Sequence, residues 1–190
     1  MASLPGDGPL RVSGSQGMFA LRQDGSRFLV MMPRAEADRF IGSVSGKLKP
    51  ASEAAWQWLD IRGGIPWITA ATQDQFVPQM INLEQLGGVS FAKGCYTGQE
   101  VVARAQHLGK VKRRMFVANV AAVAVAGDAL YAEDLGAQAG GSVVNAAPSP
   151  DGGSDVLAVV HTESRERSVV HLKAPDGPTL SFLPSPDRSA

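Results

Sequence analysis

What this 190-residue chain has little of narrows its reading first. It holds one cysteine, Cys95, which excludes an internal disulfide framework and suits a reducing compartment. Lys and Arg number 18 and so do Asp and Glu, giving a formal net charge of zero. Attraction to nucleic acid therefore has to come from a local patch rather than from the whole molecule. No window approaches the roughly 18 consecutive apolar residues of a membrane helix. The chain start also lacks a basic segment followed by an apolar one, so a signal peptide is not expected. The expectation is a cytoplasmic protein without a membrane partner. Of its 3 histidines, His161 and His171 are isolated and show no metal-ligand spacing with Cys95 or with each other, so no metal site is expected. Phosphate-binding Walker loops, nucleophile elbows and paired-cysteine motifs are absent, as is any repeat of about 20–50 residues.

What is present is ordinary globular material, 44% hydrophobic, in a chain long enough to bury a core. Residues 1–16, rich in Gly, Pro and Ser, read as a flexible lead-in. Apolar runs Gly17 to Gln23 and Arg27 to Met32 flank Asp24-Gly25-Ser26 and predict a β-hairpin. Pro33 marks a helix start, with Ala35, Ala37, Phe40, Ile41 and Val44 spaced for one buried face. Ser52 caps a second helix from Glu53 to about Ile61, with Trp56 and Leu59 on its apolar side, ended by Gly63-Gly64 and Pro66. Trp56, Trp58 and Trp67 are expected in the core. Beyond residue 110 short β-prone runs (Met115 to Val120, Ala129 to Ala132, Ser142 to Ala146, Val156 to Thr162, Ser168 to Leu172, Thr179 to Leu183) alternate with glycine-rich turns. That spacing predicts a small antiparallel barrel or sandwich. The fold class is thus α+β: an α+β domain over 17–109, an all-β domain over 110–184, and a tail from 185 to 190.

At the seam lies Lys93-Gly94-Cys95-Tyr96-Thr97-Gly98-Gln99-Glu100. Thr97 and Glu100 have the T-x-x-E spacing of a capping box, which predicts a helix from Thr97 with Val101, Val102, Ala105 and Leu108 as its apolar positions and Gly109 as its stop. Cys95 then lies two residues ahead of free helix amides and the positive end of the helix dipole, with Lys93 as a further cation. Those are conditions that favour a thiolate. Two readings of Cys95 stay open, a reactive or ligand thiol and a small buried hydrophobe. Tyr96 either stacks on a ligand or packs. Arg104, Lys110, Lys112, Arg113 and Arg114, with His107 among them, form the one strong basic run. It is either a solvated helix end or an anion site for a folate tail or an RNA phosphate.

With those residues in view, the sequence resembles the YgfZ family of folate-binding proteins, relatives of the glycine-cleavage T-protein, an aminomethyltransferase. The family pattern K-G-C-Y-x-G-Q-E is met without mismatch from Lys93 to Glu100. Supporting blocks are Gly64-Ile65-Pro66, Phe76 to Leu83, Gly87-Gly88-Val89-Ser90-Phe91 and Val101-Val102-Ala103-Arg104. The likeness covers residues 17 to 183 and corresponds to the C-terminal part of such a protein. It implies a partial T-protein-like α+β domain followed by a six-stranded β-barrel, and a tetrahydrofolate cofactor. It also implies a role in assembling or repairing iron–sulfur clusters in client enzymes, including those that methylthiolate tRNA. Carried over, the functional positions are Cys95 as the reactive or ligand thiol, and Lys93, Gly94, Tyr96, Gly98, Gln99, Glu100 and Arg104 around the folate. The T-protein's pterin-binding glutamate has Arg62 in its place, and an arginine has no acceptor to offer the pterin donors.

The expected function is therefore a folate-binding maturation factor. A tetrahydrofolate-dependent one-carbon transferase is the alternative from a different class, and a tRNA-contacting module working through Lys110, Lys112, Arg113 and Arg114 is the third. Sheet edges left uncovered by a partial α+β body suggest a homodimer.

Overall fold

A computed structural model describes residues 5–6, 11–15, 17–24, 26–91, 93–107 and 111–185, with the side chains of 105–107 outside the description. The chain divides into two compact units, one within Met1–Ala51 and the other Ser52–Pro186.

The first unit holds a three-stranded antiparallel sheet in the order β1 (Val12–Ser15), β2 (Met18–Arg22), β3 (Phe28–Met31), followed by α1 (Arg34–Val44). β2 and β3 form the hairpin expected from the Asp-Gly turn, although Gly25 itself lies outside the described residues. The turn is held by Arg27, which donates from its backbone N to Asp24 Oδ1 at 3.2 Å and from Nε to Asp24 Oδ2 at 2.6 Å. β1 falls within the stretch read from sequence as a lead-in. α1 begins after Pro33 as expected, but none of its residues is buried and Ile41 is 59% exposed. The apolar spacing of the helix is real. Burial, however, needs a facing surface, and among the described residues of this unit the buried apolar ones are Pro5 and Ala20.

The second unit opens with α2 (Glu53–Arg62). Ser52 caps it by accepting from the Ala55 amide at 3.3 Å, and Gly63 with Gly64, at φ 61°, ends it. Its core face is not Trp56 and Leu59. Ile61 is buried and Trp58 packs beside it, while Leu59 is 38% exposed. Trp67 is likewise on the surface rather than in the core, 60% exposed, with Nε1 donating to Asp60 at 2.9 Å. Residues 67–88 are successive turns, pinned by side chains rather than by strand pairing. Asn145 both accepts from the Trp67 amide and donates to its carbonyl, at 2.8 Å each.

The remaining strands are β4 (Arg113–Val120), β5 (Ala129–Ala132), β6 (Ala139–Pro148), β7 (Ser154–His161), β8 (Val170–Leu172) and β9 (Leu180–Phe182). They pair antiparallel in the order β8-β5-β6-β7-β4-β9, and a bridge between His171 and Thr179 brings the ends together, making a nearly closed six-stranded barrel. A short helix, α4 (Thr162–Arg167), interrupts the run between β7 and β8. Period-two alternation gives each strand an inner and an outer side. Ala118, Val120, Leu130, Val143, Val156, Ala158 and Val160 fill the interior. Met115, Val117, Val144, Leu157 and Val159 face outward, where Trp58, Ile61, Phe76, Met80, Ile81 and Leu83 cover them.

Candidate functional site

The segment Lys93–Glu100 leads into α3 (Gln99–His107), which starts two residues later than the T-x-x-E spacing predicts. Gly98, at φ 84°, turns the chain between Thr97 and Gln99, so Thr97 stands outside the helix and Gly98 directly precedes it. The first-turn contacts run from the Gln99 amide to Tyr96 O at 3.2 Å and from the Val102 amide to Gly98 O at 3.4 Å. Glu100 does not close a capping box. Its carboxylate faces forward, 3.5 Å from the Arg104 guanidinium, and both groups are largely exposed. Such a pair stabilises the helix by well under about 1 kcal/mol. The expected stop at Leu108 and Gly109 lies outside the described residues.

Cys95 is exposed, which excludes its reading as a buried hydrophobe. On either side of it, Lys93 Nζ lies 4.8 Å from the Tyr96 ring centroid, a cation–π contact that gives the two side chains of the segment one arrangement. Gly94, Thr97 and Gly98 are exposed, and Tyr96 and Gln99 are half-buried. The thiol is thus presented on a surface loop between a cation and the start of a helix.

Behind the loop, α3 is anchored by two residues. Val102 is 7% exposed, and the side chain of Gln79, 1% exposed, donates from Nε2 to Val102 O at 2.7 Å. Gln79 is itself fixed by Arg114, whose Nη1 donates to Gln79 O at 3.3 Å and to Asn82 Oδ1 at 3.2 Å and pairs with Glu84. Asn82 in turn donates to Met115 O at 2.8 Å. Gln79 Oε1 and Glu84 Oε2 are buried acceptors with no partner among the described residues. Sequence reasoning noted Gln79 and Asn82 only as part of the Phe76 to Leu83 block and did not single out Glu84. Their signal was polar side chains inside an otherwise apolar run.

Among the described residues, the arginines of the basic run face different partners. Arg104 faces Glu100, Arg114 faces Glu84, and Arg113, on the opposite side of β4, donates from Nε to His161 Nε2 at 3.0 Å. Lys112 is exposed and has no ion pair among the described residues, and Lys110 lies outside them. Burial and the adjacent Arg113 cation hold the His161 imidazole below its ordinary value, since both disfavour the protonated ring. Arg62 lies 3.7 Å from Asp155. That carboxylate, 2% exposed, also accepts from Trp58 Nε1 at 2.8 Å and Asn119 Nδ2 at 2.7 Å, tying α2 to β4 and β7.

A scan against protein-family models finds no match. Among curated proteins, the chain is similar to the tRNA-modifying protein YgfZ of Yersinia pestis (strain Pestoides F) and of Yersinia pseudotuberculosis (serotype O:1b, strain IP 31758). Each is 34% identical over 186 residues, covering 94% of this chain and 55% of the relative. The same protein of Edwardsiella ictaluri (strain 93-146) is 34% identical over 187 residues, covering 95% and 56%. The chain spans little more than half the length of the curated relatives it matches. Over that span, with the motif Lys93–Glu100 intact and a six-stranded barrel behind it, this chain is a homologue of the YgfZ tRNA-modifying proteins.

Proposed function

We propose that this chain is a folate-binding factor that assists assembly or repair of iron–sulfur clusters in client enzymes, and through them tRNA modification. The observation that carries this reading is the complete Lys93–Glu100 segment with Cys95 exposed on it, in a homologue of tRNA-modifying proteins. The donor set suits a reduced folate in kind. Glu100 and the Gln99 amide oxygen can accept from pterin amino and ring N–H groups, the Tyr96 ring offers a stacking face, and Lys93 and Arg104 offer cations to a glutamate tail. When bound, a reduced folate supplies the capacity to carry one-carbon units or reducing equivalents.

A resident cluster does not fit. Iron–sulfur centres take about four thiolates, and no three His, Cys, Asp or Glu side chains converge among the described residues. The cluster is therefore cargo of the client, and Cys95 acts on it as a single transient ligand or nucleophile. For a one-carbon transferase the obstacle is Arg62, which is directed toward Asp155 and offers a pterin no acceptor, so no turnover of an aminomethyl donor is expected. Association through β1 and β3, which pair with no further strand among the described residues, belongs to the same reading, since Val12, Phe19, Leu29 and Met31 are exposed in this sheet. A monomer by light scattering at high concentration counts against it.

The test is calorimetric titration of tetrahydrofolate into the chain. Saturable binding that weakens on Lys93→Ala and Arg104→Ala supports the folate role. No binding by the unaltered chain, or binding that neither substitution moves, overturns it.

A further inference from the structure

On the outer wall of the barrel, residues 75–80, whose Gln79 also holds α3, cross over β6 and leave a cavity of about 240 Å³. Its origin is legible in residue size. Where β6 passes beneath this crossing it carries the small residues Ala139 and Ser142, with Gly141 between them lending only backbone to the lining. Phe76 and Met80 form the cover, Val159 part of the floor, and Arg113 stands at the wall. The volume equals that of about eight waters at roughly 30 Å³ each. It is also below the ~300–1,000 Å³ of sites that enclose drug-sized ligands, so it takes a ring-sized group and not a whole folate.

The lining is mixed, and three of its polar groups have capacity left over. Arg113 uses only Nε, toward His161, and its two terminal nitrogens make no hydrogen bond or ion pair among the described residues. The Ser142 hydroxyl has no hydrogen-bond partner among them either. Gln75 donates from Nε2 to Ala71 O at 2.7 Å, leaving its Oε1 as an acceptor. A guanidinium and a hydroxyl together match a carboxylate or phosphate, which takes paired donors, while Phe76, Met80 and Val159 match an apolar ring.

We propose that this cavity is a binding site for a small ring-bearing anion, its ring between Phe76, Met80 and Val159 and its carboxylate or phosphate on Arg113 and Ser142. The cavity shares no lining residue with Lys93–Glu100 or Arg104, so its failure and that of the folate reading are separable.

The probes are benzoate, phenyl phosphate and the neutral isostere benzamide, titrated into the full chain carrying ¹³C-methyl methionine, with the Met80 methyl resonance as the readout. Saturable displacement of that resonance by benzoate or phenyl phosphate is expected, and the tighter of the two identifies the anion. Loss of a charge-assisted hydrogen bond in Arg113→Gln should weaken the anions about 10- to 100-fold and leave benzamide unchanged. Ser142→Val fills the hollow and should abolish both kinds of binding with the melting temperature retained. Cys95→Ala should change neither. Absence of a saturable shift with both anions, or anion binding that Arg113→Gln leaves intact, overturns the proposal.

Discussion

Replacing Arg114 by methionine separates a structural cation from a nucleic-acid contact. Arg114 is 30% exposed in its side chain and Glu84 14%, and the two are paired while Arg114 also reaches Asn82 and Gln79. Hydrogen bonds involving a charged group contribute about 1.5–3 kcal/mol each, and removing one partner of a buried ion pair costs about 3–5 kcal/mol because the other charge is stranded. Partial exposure of the guanidinium lets water replace some of this, which places Arg114→Met at about 2–4 kcal/mol. For a unit of this size that corresponds to a fall in melting temperature of roughly 5–15 °C. Thermal unfolding followed by near-ultraviolet circular dichroism measures it. Lys112→Gln, on an exposed side chain without an ion pair, should stay within about 0.5 kcal/mol. In the double variant Glu84→Gln with Arg114→Met, part of the loss should return because no carboxylate is left unpaired. If Arg114→Met melts like Lys112→Gln, while all three of Lys112, Arg113 and Arg114 contribute alike to salt-sensitive RNA binding, the structural assignment is wrong and the run is one anion patch after all.

Three further outcomes are expected. Asp155→Ala removes the acceptor shared by Trp58, Asn119 and Arg62 and should cost about 2–4 kcal/mol in chemical denaturation, a loss under about 1 kcal/mol being incompatible with a buried clasp. His161 is held below its ordinary value near 6.5, so the unfolded chain takes up a proton at a pH where the folded one does not. Stability should then decline as pH falls from about that value toward the lowered one, and His161→Gln, which keeps an acceptor for Arg113, should flatten the melting temperature over this window. Gly98→Ala meets no atom within 4 Å but must hold φ 84°, so it should cost about 1–2 kcal/mol through backbone strain alone and shift the start of α3, visible as changed amide exchange at Gln99 and Glu100.

Much of the barrel could be read from the sequence because its signal is local. From Met115 onward strand alternation and glycine turns recur at short range, and six strands answer the six runs. Ser52 and Gly63-Gly64 bounded α2 for the same reason. Which side of α2 faces the core was not readable, because the choice of Trp58 over Trp56 is made by Asp155, 97 residues further on. Residues 67–88 carry no period at all, since their order comes from Asn145 on Trp67 and from Asn82 on Met115. At the motif, T-x-x-E spacing was a sound local signal, overridden by a single glycine that turns the chain after Thr97. The basic run looked continuous because sequence shows charges and not their partners. Glu84, 30 residues earlier, takes one of them.

The most direct measurement concerns Cys95 itself. Cells lacking their own YgfZ-type protein would be supplied with this chain or with its Cys95→Ser form, and tRNA methylthiolation measured together with the activity of an iron–sulfur enzyme. The unaltered chain should restore both. The serine form should restore neither, while circular dichroism and melting temperature show it folded, since Cys95 is exposed and its replacement removes no packing. Equal restoration by the two forms would show that the exposed thiol is not the working group of the Lys93–Glu100 segment.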